Sequence, residues 1–311
     1  MSAREPRDAA DAPGRPPAPR SEPLLIFANR SAGSVLRGGE PPLVRFARAA
    51  GLEAQVIPAR SAADLQRQLR ARALGRLSRV AIAGGDGTLH AAVQVLAGSD
   101  VTLGILPQGT ANNFATALHI PRDLPSAFRV IAEGEERRVD LGLAGGEYFT
   151  EAAGVGVFAD LLAFTGAGHN LRHTLRGLEV LARAVLFDRP QRVTLEVDGE
   201  RSVEEVLNVT VANTFAVGYN LPIAPGARAT DARLDVIVIG SLTRREMPLY
   251  WRALRRQEHL DLPKVHAMRA RRVTLSARHR LLVHVDDRVI RRTPLELQVA
   301  PAALKVMVDR L

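Results

Sequence analysis

Ala83-Gly84-Gly85-Asp86-Gly87-Thr88 is the stretch of this 311-residue chain best suited to chemistry. Three glycines in four positions leave the backbone bare, so its N–H groups and a following helix N-terminus can approach phosphate oxygens closely. Asp86 would repel a phosphate; a carboxylate in such a loop suits a Mg²⁺ ion or a hydroxyl. A plain strand-to-helix turn with an Asp cap would read the same way, and what argues against it is a second element. Leu106-Pro107-Gln108-Gly109-Thr110-Ala111-Asn112-Asn113-Phe114 sets Gly109, the Thr110 hydroxyl and the amides of Asn112 and Asn113 at another such junction. Thr110 and Asn112 can also cap a helix there. Two polar junctions on neighbouring strands make a cleft.

Both motifs need strands to hold them. From Leu24 onward, short apolar runs at 24–27, 54–57, 80–83 and 101–106 alternate with helical segments at 41–50, after Ser61, at 88–96 and near 110–118. Ser61 and Asp64 form a capping box, and Leu65, Leu69 and Leu74 share one face of the helix that follows. The pattern predicts a doubly wound α/β domain over 24–140, with ligands at the carboxyl ends of its strands. From about residue 140 the period changes to two: in 192–198, Val193, Leu195 and Val197 lie on one face and Thr194, Glu196 and Asp198 on the other. Similar runs at 204–212, 234–239, 272–276, 281–286, 295–299 and 304–308 predict a β-sandwich over 141–300. Helical insertions are expected around 159–187 and 244–256. A closing strand at 301–311 is expected to return to the first domain. Residues 1–23, with six prolines and four basic against four acidic residues, read as a disordered tail.

Composition removes several classes. With no cysteine, disulfides, Cys-type zinc sites and thiol catalysis are excluded. Of 42 basic residues only Lys264 and Lys305 are lysines. They sit in Leu-Pro-Lys and Ala-Leu-Lys, so neither the P-loop lysine nor the strand lysine of protein kinases is present. No apolar run approaches the ~18 residues of a spanning helix, and the start of the chain has no signal-peptide core. G-x-S-x-G is absent. His169 and His173, spaced i,i+4, lack an acidic partner and a third ligand and read as a solvated helix face. The net charge of +9 lies wholly in residues 241–311, which hold 16 basic against 7 acidic side chains. Only 4% of residues are aromatic, which argues against nucleic acid as the reason for that charge. Within the basic stretch, 244–256 places Trp251, Tyr250, Met247 and Leu254 among five arginines, the composition of either an interfacial helix or a helix packed on the sheet.

GGDGT followed by LPQGTANNFA resembles the diacylglycerol kinase catalytic family, which includes bacterial lipid kinases and sphingosine kinases and is distantly similar to NAD kinases. The likeness runs from Leu24 through Val139-Asp140-Leu141-Gly142 and Pro225-Gly226-Ala227 to Val285-Asp286. It implies an NAD kinase-like α/β domain joined to a β-sandwich, ATP with Mg²⁺ in the cleft between them, and a lipid hydroxyl entering from the β side. By the same resemblance Asn29, Gly84, Gly85, Asp86, Gly87, Thr88, Leu89, His90, Gly109, Thr110, Asn112 and Asn113 line the nucleotide. Arg228, Asp231 and Arg233 match a structural magnesium loop, two through carbonyls and Asp231 through its carboxylate, although Thr230 and Ala232 replace the usual Asp and Gly. The second motif usually ends Asn-Asp-Phe and here has Asn113. The C-terminal motif usually reads Asp-Gly-Glu with Glu as base, and here reads Asp286-Asp287-Arg288. A guanidinium accepts no proton, so the base role passes to Asp287 or Asp286, or activity is lost. A cytoplasmic kinase in peripheral contact with anionic membrane through residues 241–311 follows. An NAD kinase-like enzyme and a non-catalytic nucleotide- or lipid-binding protein are the rivals.

Overall fold

The computed structural model describes residues 22–29, 41–75, 77–157, 159, 190–218 and 220–310. The expected tail, the turn through Gly33 and nearly all of the 159–187 insertion, including His169 and His173, lie outside the described residues.

Four parallel strands form the first half: β1 (Leu24–Asn29), β2 (Ala54–Ala59), β3 (Arg79–Gly84) and β4 (Thr102–Pro107), in the order β4-β3-β1-β2. Their apolar side chains face helices on both sides and are buried, Ile26, Phe27, Ile82 and Leu103 among them. The intervening helices start where the chain supplies caps. Proline opens α1 (Pro42–Ala49), and Ser61 Oγ accepts from Asp64 N at 3.2 Å to open α2 (Ala62–Arg72). The expected capping box is incomplete, because the Asp64 carboxylate reaches Arg60 N instead of Ser61 N. Helix α3 (Asp86–Leu96) follows β3, and α4 (Asn113–Ala117) follows β4, starting later than the expected residue 110. A fifth helix, α5 (Leu124–Glu133), had no counterpart in the periodicity; Asp123 caps it by accepting from Ser126 N, and Phe128 and Ile131 are buried.

The second half is antiparallel within itself: β5 (Glu135–Ala144), β6 (Glu147–Phe149), β7 (Ala152–Gly156), β8 (Gln191–Val197), β9 (Glu200–Ala212), β10 (Leu234–Gly240), β11 (Val265–Ala270), β12 (Arg272–Ala277), β13 (Leu282–Val285), β14 (Arg288–Arg292) and β15 (Leu295–Val308). This is the expected α/β domain followed by a β-sandwich-like domain. Helix α6 (Met247–Arg255) packs beside β10 and β11 through Tyr250 and Leu254.

The two halves share hydrogen-bonded strands. The expected runs 295–299 and 304–308 are one strand, β15, with a register shift between Ala300 and Leu304. Pro301, which lacks an N–H, sits at that irregularity, as prolines in strands do. Before it, β15 pairs with β12; after it, Lys305 and Val306 pair in parallel with Thr102 and Leu103 of β4. Strand β5 follows β15 along both parts. Residues 140 and 300 therefore fall inside strands, and one continuous sheet runs through both halves.

Candidate active site

The β3–α3 and β4–α4 junctions touch backbone to backbone. Gln108 N donates to Gly84 O at 2.9 Å. A Cβ on Gly85 would stand 2.9 Å from Gly109 Cα, one on Gly109 2.5 Å from Gly85 Cα, and one on Gly84 2.6 Å from Thr88 Cβ. Gly85 and Gly109 thus serve the fit of one loop against the other, and Gly84 leaves room for Thr88 of its own loop. Gly87 is exposed at the first turn of α3, and Thr110 is exposed opposite. Asn29, at the end of the neighbouring strand β1, is half-buried.

Asp86 ties the two motifs together. Its Oδ2 accepts from Asn112 N at 2.8 Å and its carboxylate also accepts from Phe114 N, capping α4 from outside. Asn112 sits at φ +53 in the left-handed region, held by Gly109 N donating to its Oδ1 and by its own Nδ2 donating to Gly109 O, both at 2.8 Å. Asp86 Oδ1 is buried with no hydrogen-bond partner among the described residues. Burial pushes the Asp86 carboxyl up, against the two N–H donors, and Asp286 and Asp287 add to the rise.

Those two aspartates come from the β half, on the turn between β13 and β14. Asp286, at φ +50, is buried and saturated: His90 Nδ1 donates to its Oδ2 at 2.7 Å, and the N–H groups of Thr150, Glu151 and Ala152 converge on it. Burial acts to raise its pKa, but the His90 hydrogen bond and charge and these N–H donors hold it below the usual value. Asp287 is the opposite case. It makes no such network, its side chain is 32% exposed, and a Cβ placed on Gly87 would lie 3.3 Å from its Oδ2. Burial, then the charge of Asp286, raises its pKa. Arg288 holds its Nε 3.9 Å from Asp287 Oδ1 and its Nη2 4.0 Å from Glu147 Oε1.

Leu89, His90 and Asn113, all expected on the nucleotide, have buried side chains. Leu89 is fully buried in the core of the α/β half, because α3 turns it toward the sheet. His90 is buried between two carboxylates, Nδ1 on Asp286 and Nε2 on Glu147 Oε1 at 2.9 Å. Burial lowers its pKa, the contacts with Asp286 outweigh that, and the net shift is upward. With an acceptor at each ring nitrogen, imidazolium satisfies the site, and the His90 side chain links the halves. Asn113 is likewise buried, and its Nδ2 donates to Glu151 Oε2 at 2.8 Å and to Gly218 O at 2.7 Å. Glu151, absent from the sequence reading, sits in the turn before β7. A lone Glu between Thr150 and two alanines carries no motif that would have marked it.

The 228–233 loop lies on the far side of Asp140. Asp140 Oδ2 accepts from Ala232 N at 2.7 Å, its N donates to Ala229 O at 2.7 Å, and its Oδ1 accepts from Ala302 N at 2.8 Å. The Val-Asp-Leu-Gly segment is thus the anchor of that loop. Arg228 and Arg233 are exposed; Asp231 lies 3.6 Å from Arg269 Nη1, and Asp235 3.5 Å from Arg269 Nε. Arg269 thus stands within ion-pair range of both carboxylates, while Asp231 Oδ2 and Asp235 Oδ2 are buried without a hydrogen-bond partner among the described residues. Among the described residues, no group of three or more His, Asp or Glu converges to hold a metal unaided.

Helix α6 packs one side on the sheet. Met247, Tyr250, Ala253 and Leu254 are buried, whereas Leu249 is 54% and Trp251 38% exposed beside Arg252, Arg255 and Arg256. No helix among the described residues is long and apolar enough to cross a membrane.

Two family models match. Residues 23–144 match the diacylglycerol kinase catalytic domain, and residues 152–308 match the YegS C-terminal NAD kinase beta sandwich-like domain. A diacylglycerol kinase of Bacillus subtilis (strain 168) is 30% identical over 246 residues, 76% of this chain and 80% of that protein. One of Mycobacterium tuberculosis (strain ATCC 25618 / H37Rv) is 29% identical over 273 residues, 84% of this chain and 86% of that protein. A solved structure from Bacillus anthracis str. Sterne covers 95% of this chain and 98% of its own with a TM-score of 0.77 at 18% identity, which speaks to the fold.

Proposed function

The chain belongs to the diacylglycerol kinase family, and on that premise we propose that it transfers the γ-phosphoryl group of ATP, with Mg²⁺, to the hydroxyl of a diacylglycerol-like lipid. Membership makes it a lipid kinase; the family likeness suggests the donor and the acceptor, and the carboxylates of the site suggest the ion. The observation that carries the inference is the approach of Asp287, from the β half, to Gly87 at the first turn of α3. A helix N-terminus with free N–H groups is where phosphates settle, and here a carboxylate of raised basicity stands over it.

In this reading the N–H groups around Gly85–Gly87 and at Thr110 hold the phosphates in the cleft between the halves, with Asn29 at its edge. The ion fits Asp86 and Asp287, each of which keeps a buried Oδ1 without a hydrogen-bond partner. Mg²⁺ binds through one or two carboxylates plus phosphates and water, which accords with the lack of a three-ligand protein site. When bound, it neutralises charge on the transferring group. Asp287 Oδ2 takes the proton from the lipid hydroxyl; the freed oxygen forms a bond to the γ-phosphorus as the bond to the ADP oxygen breaks, and ADP leaves with that electron pair. Such a base is worth about 10²–10⁴-fold. Asp286, saturated and of lowered pKa, is a positioning residue that fixes the turn carrying Asp287.

Arg269 takes the place of an ion in the 228–233 loop. The exposed face of α6 and the surplus of Lys and Arg in 241–311 form the side that meets an anionic bilayer, where each basic residue adds about 1 kcal/mol. The position of Arg288 favours one alternative, a protein that binds nucleotide and lipid without turnover. Transfer by the wild type distinguishes the two, and replacing Asp287 with Asn then tests the base. Loss of turnover by roughly 10²-fold or more with unchanged nucleotide binding supports the kinase reading; unchanged turnover removes Asp287 from the chemistry.

A further inference from the structure

Glu151 is a carboxyl group placed where a carboxyl group is costly. Its side chain is 2% exposed, and the charges acting on it most strongly are those of Asp86, Asp286 and Asp287, all negative. Burying a carboxyl among carboxylates disfavours its ionised form and the fold together. Its pKa stands well above the ordinary value, from burial first and from those neighbours next. The groups that hold it are specific: Asn113 Nδ2 donates to Oε2 at 2.8 Å and Gly218 N at 3.2 Å, while its own N donates to Asp286 Oδ1 at 2.8 Å.

Asn113 stands where the resembling motif carries an aspartate. The amide there and the Glu151 carboxyl share one hydrogen bond, so this buried pair still holds one carboxyl and one partner for it, with the acid in the turn before β7. We propose that Glu151 supplies from the β half the carboxyl group that the second motif lacks at Asn113, as a positioning residue for Asp86 and Asp287. An acid serving only the fold would be replaced to advantage by its isosteric amide, whose oxygen accepts from the same two N–H donors and which carries no ionisable group among three aspartates. That the chain keeps an acid here points to the reaction. The proposal rests on the lipid-kinase reading.

Two isosteric variants test it, alone and together, in the full chain, with thermal melting and transfer from labelled ATP to diacylglycerol in vesicles as readouts. Glu151→Gln is expected to melt at or above the wild-type temperature and to lose at least tenfold in kcat. Adding Asn113→Asp to it restores one acid and one amide, exchanged, and is expected to bring kcat back to within about threefold of the wild type. Two outcomes overturn the proposal: Glu151→Gln with wild-type kcat, or a double variant no faster than Glu151→Gln. A wild-type protein that transfers nothing to lipid removes the underlying reading instead, and the melting data separate that case.

Discussion

His90 donates from Nδ1 to Asp286 Oδ2 at 2.7 Å across 196 residues of sequence, and with its other nitrogen it reaches Glu147. One imidazole thereby joins the helix that follows Gly-Gly-Asp-Gly-Thr to the turn that carries Asp287. Its folded pKa is raised above the ordinary 6.5, so its contribution to stability is fully present below about 6.5 and is lost as pH rises through the higher folded value. The difference in melting temperature between the wild type and His90→Gln should be largest below pH 6.5 and shrink at alkaline pH. A difference that is constant with pH would mean that the imidazolium is not what bridges the halves.

How much of this was legible follows from the kind of interaction involved. Gly84 to Thr88 and Gly109 to Asn113 could be read because they are contiguous, and their chemistry lies in residue type. The placement of strands followed apolar period. Burial of the Leu89 side chain was not legible because it lies within the motif, yet an α-helix turns each next side chain by about 100°, which sends it to the core. His90, Asp286 and Glu151 meet only through tertiary structure, and the sequence holds no spacing that relates residues so far apart. The unity of β15 was hidden by Pro301, which reads locally as a break.

Gly109 tests whether the two loops must touch. A Cβ there would stand 2.5 Å from Gly85 Cα, a backbone atom with no freedom to withdraw. Gly109→Ala should cost about 1–3 kcal/mol in stability and, by displacing the phosphate-facing backbone, about 10²-fold in transfer. Gly226→Ala, with nothing within 4 Å of its Cβ, should change neither. Comparable stability and turnover for the two variants would contradict the packing argument.

Arg269 replaces a metal ion if the reading of the 228–233 loop is right. Melting of the wild type should then be unchanged when Mg²⁺ is exchanged for a chelator. Arg269→Gln removes a partly exposed ion pair from Asp231 and Asp235, so melting should fall by an amount equivalent to about 1 kcal/mol and become sensitive to Mg²⁺. A wild-type melting temperature that drops on chelation would show that the loop holds a metal after all.

Helix α6 is the surface to test for bilayer contact. Sedimentation with vesicles containing anionic lipid should weaken with added salt, because the attraction is screened. It should also weaken about tenfold or more when Leu249 and Trp251 are both replaced by Ala, given roughly 1.5–3 kcal/mol for burying a large apolar side chain. These side chains are 54% and 38% exposed in the free protein, so the substitutions should leave melting nearly unchanged. Binding that is indifferent to salt, to lipid charge and to both substitutions would place the membrane face elsewhere.

Transfer of labelled γ-phosphate is the most direct measurement of all. Incubated with labelled ATP, Mg²⁺ and vesicles containing diacylglycerol, the wild-type chain should produce labelled phosphatidic acid, and Asp86→Asn should produce none. Label appearing on NAD in place of lipid, or no transfer to any extracted lipid while ATP still binds, would contradict the account.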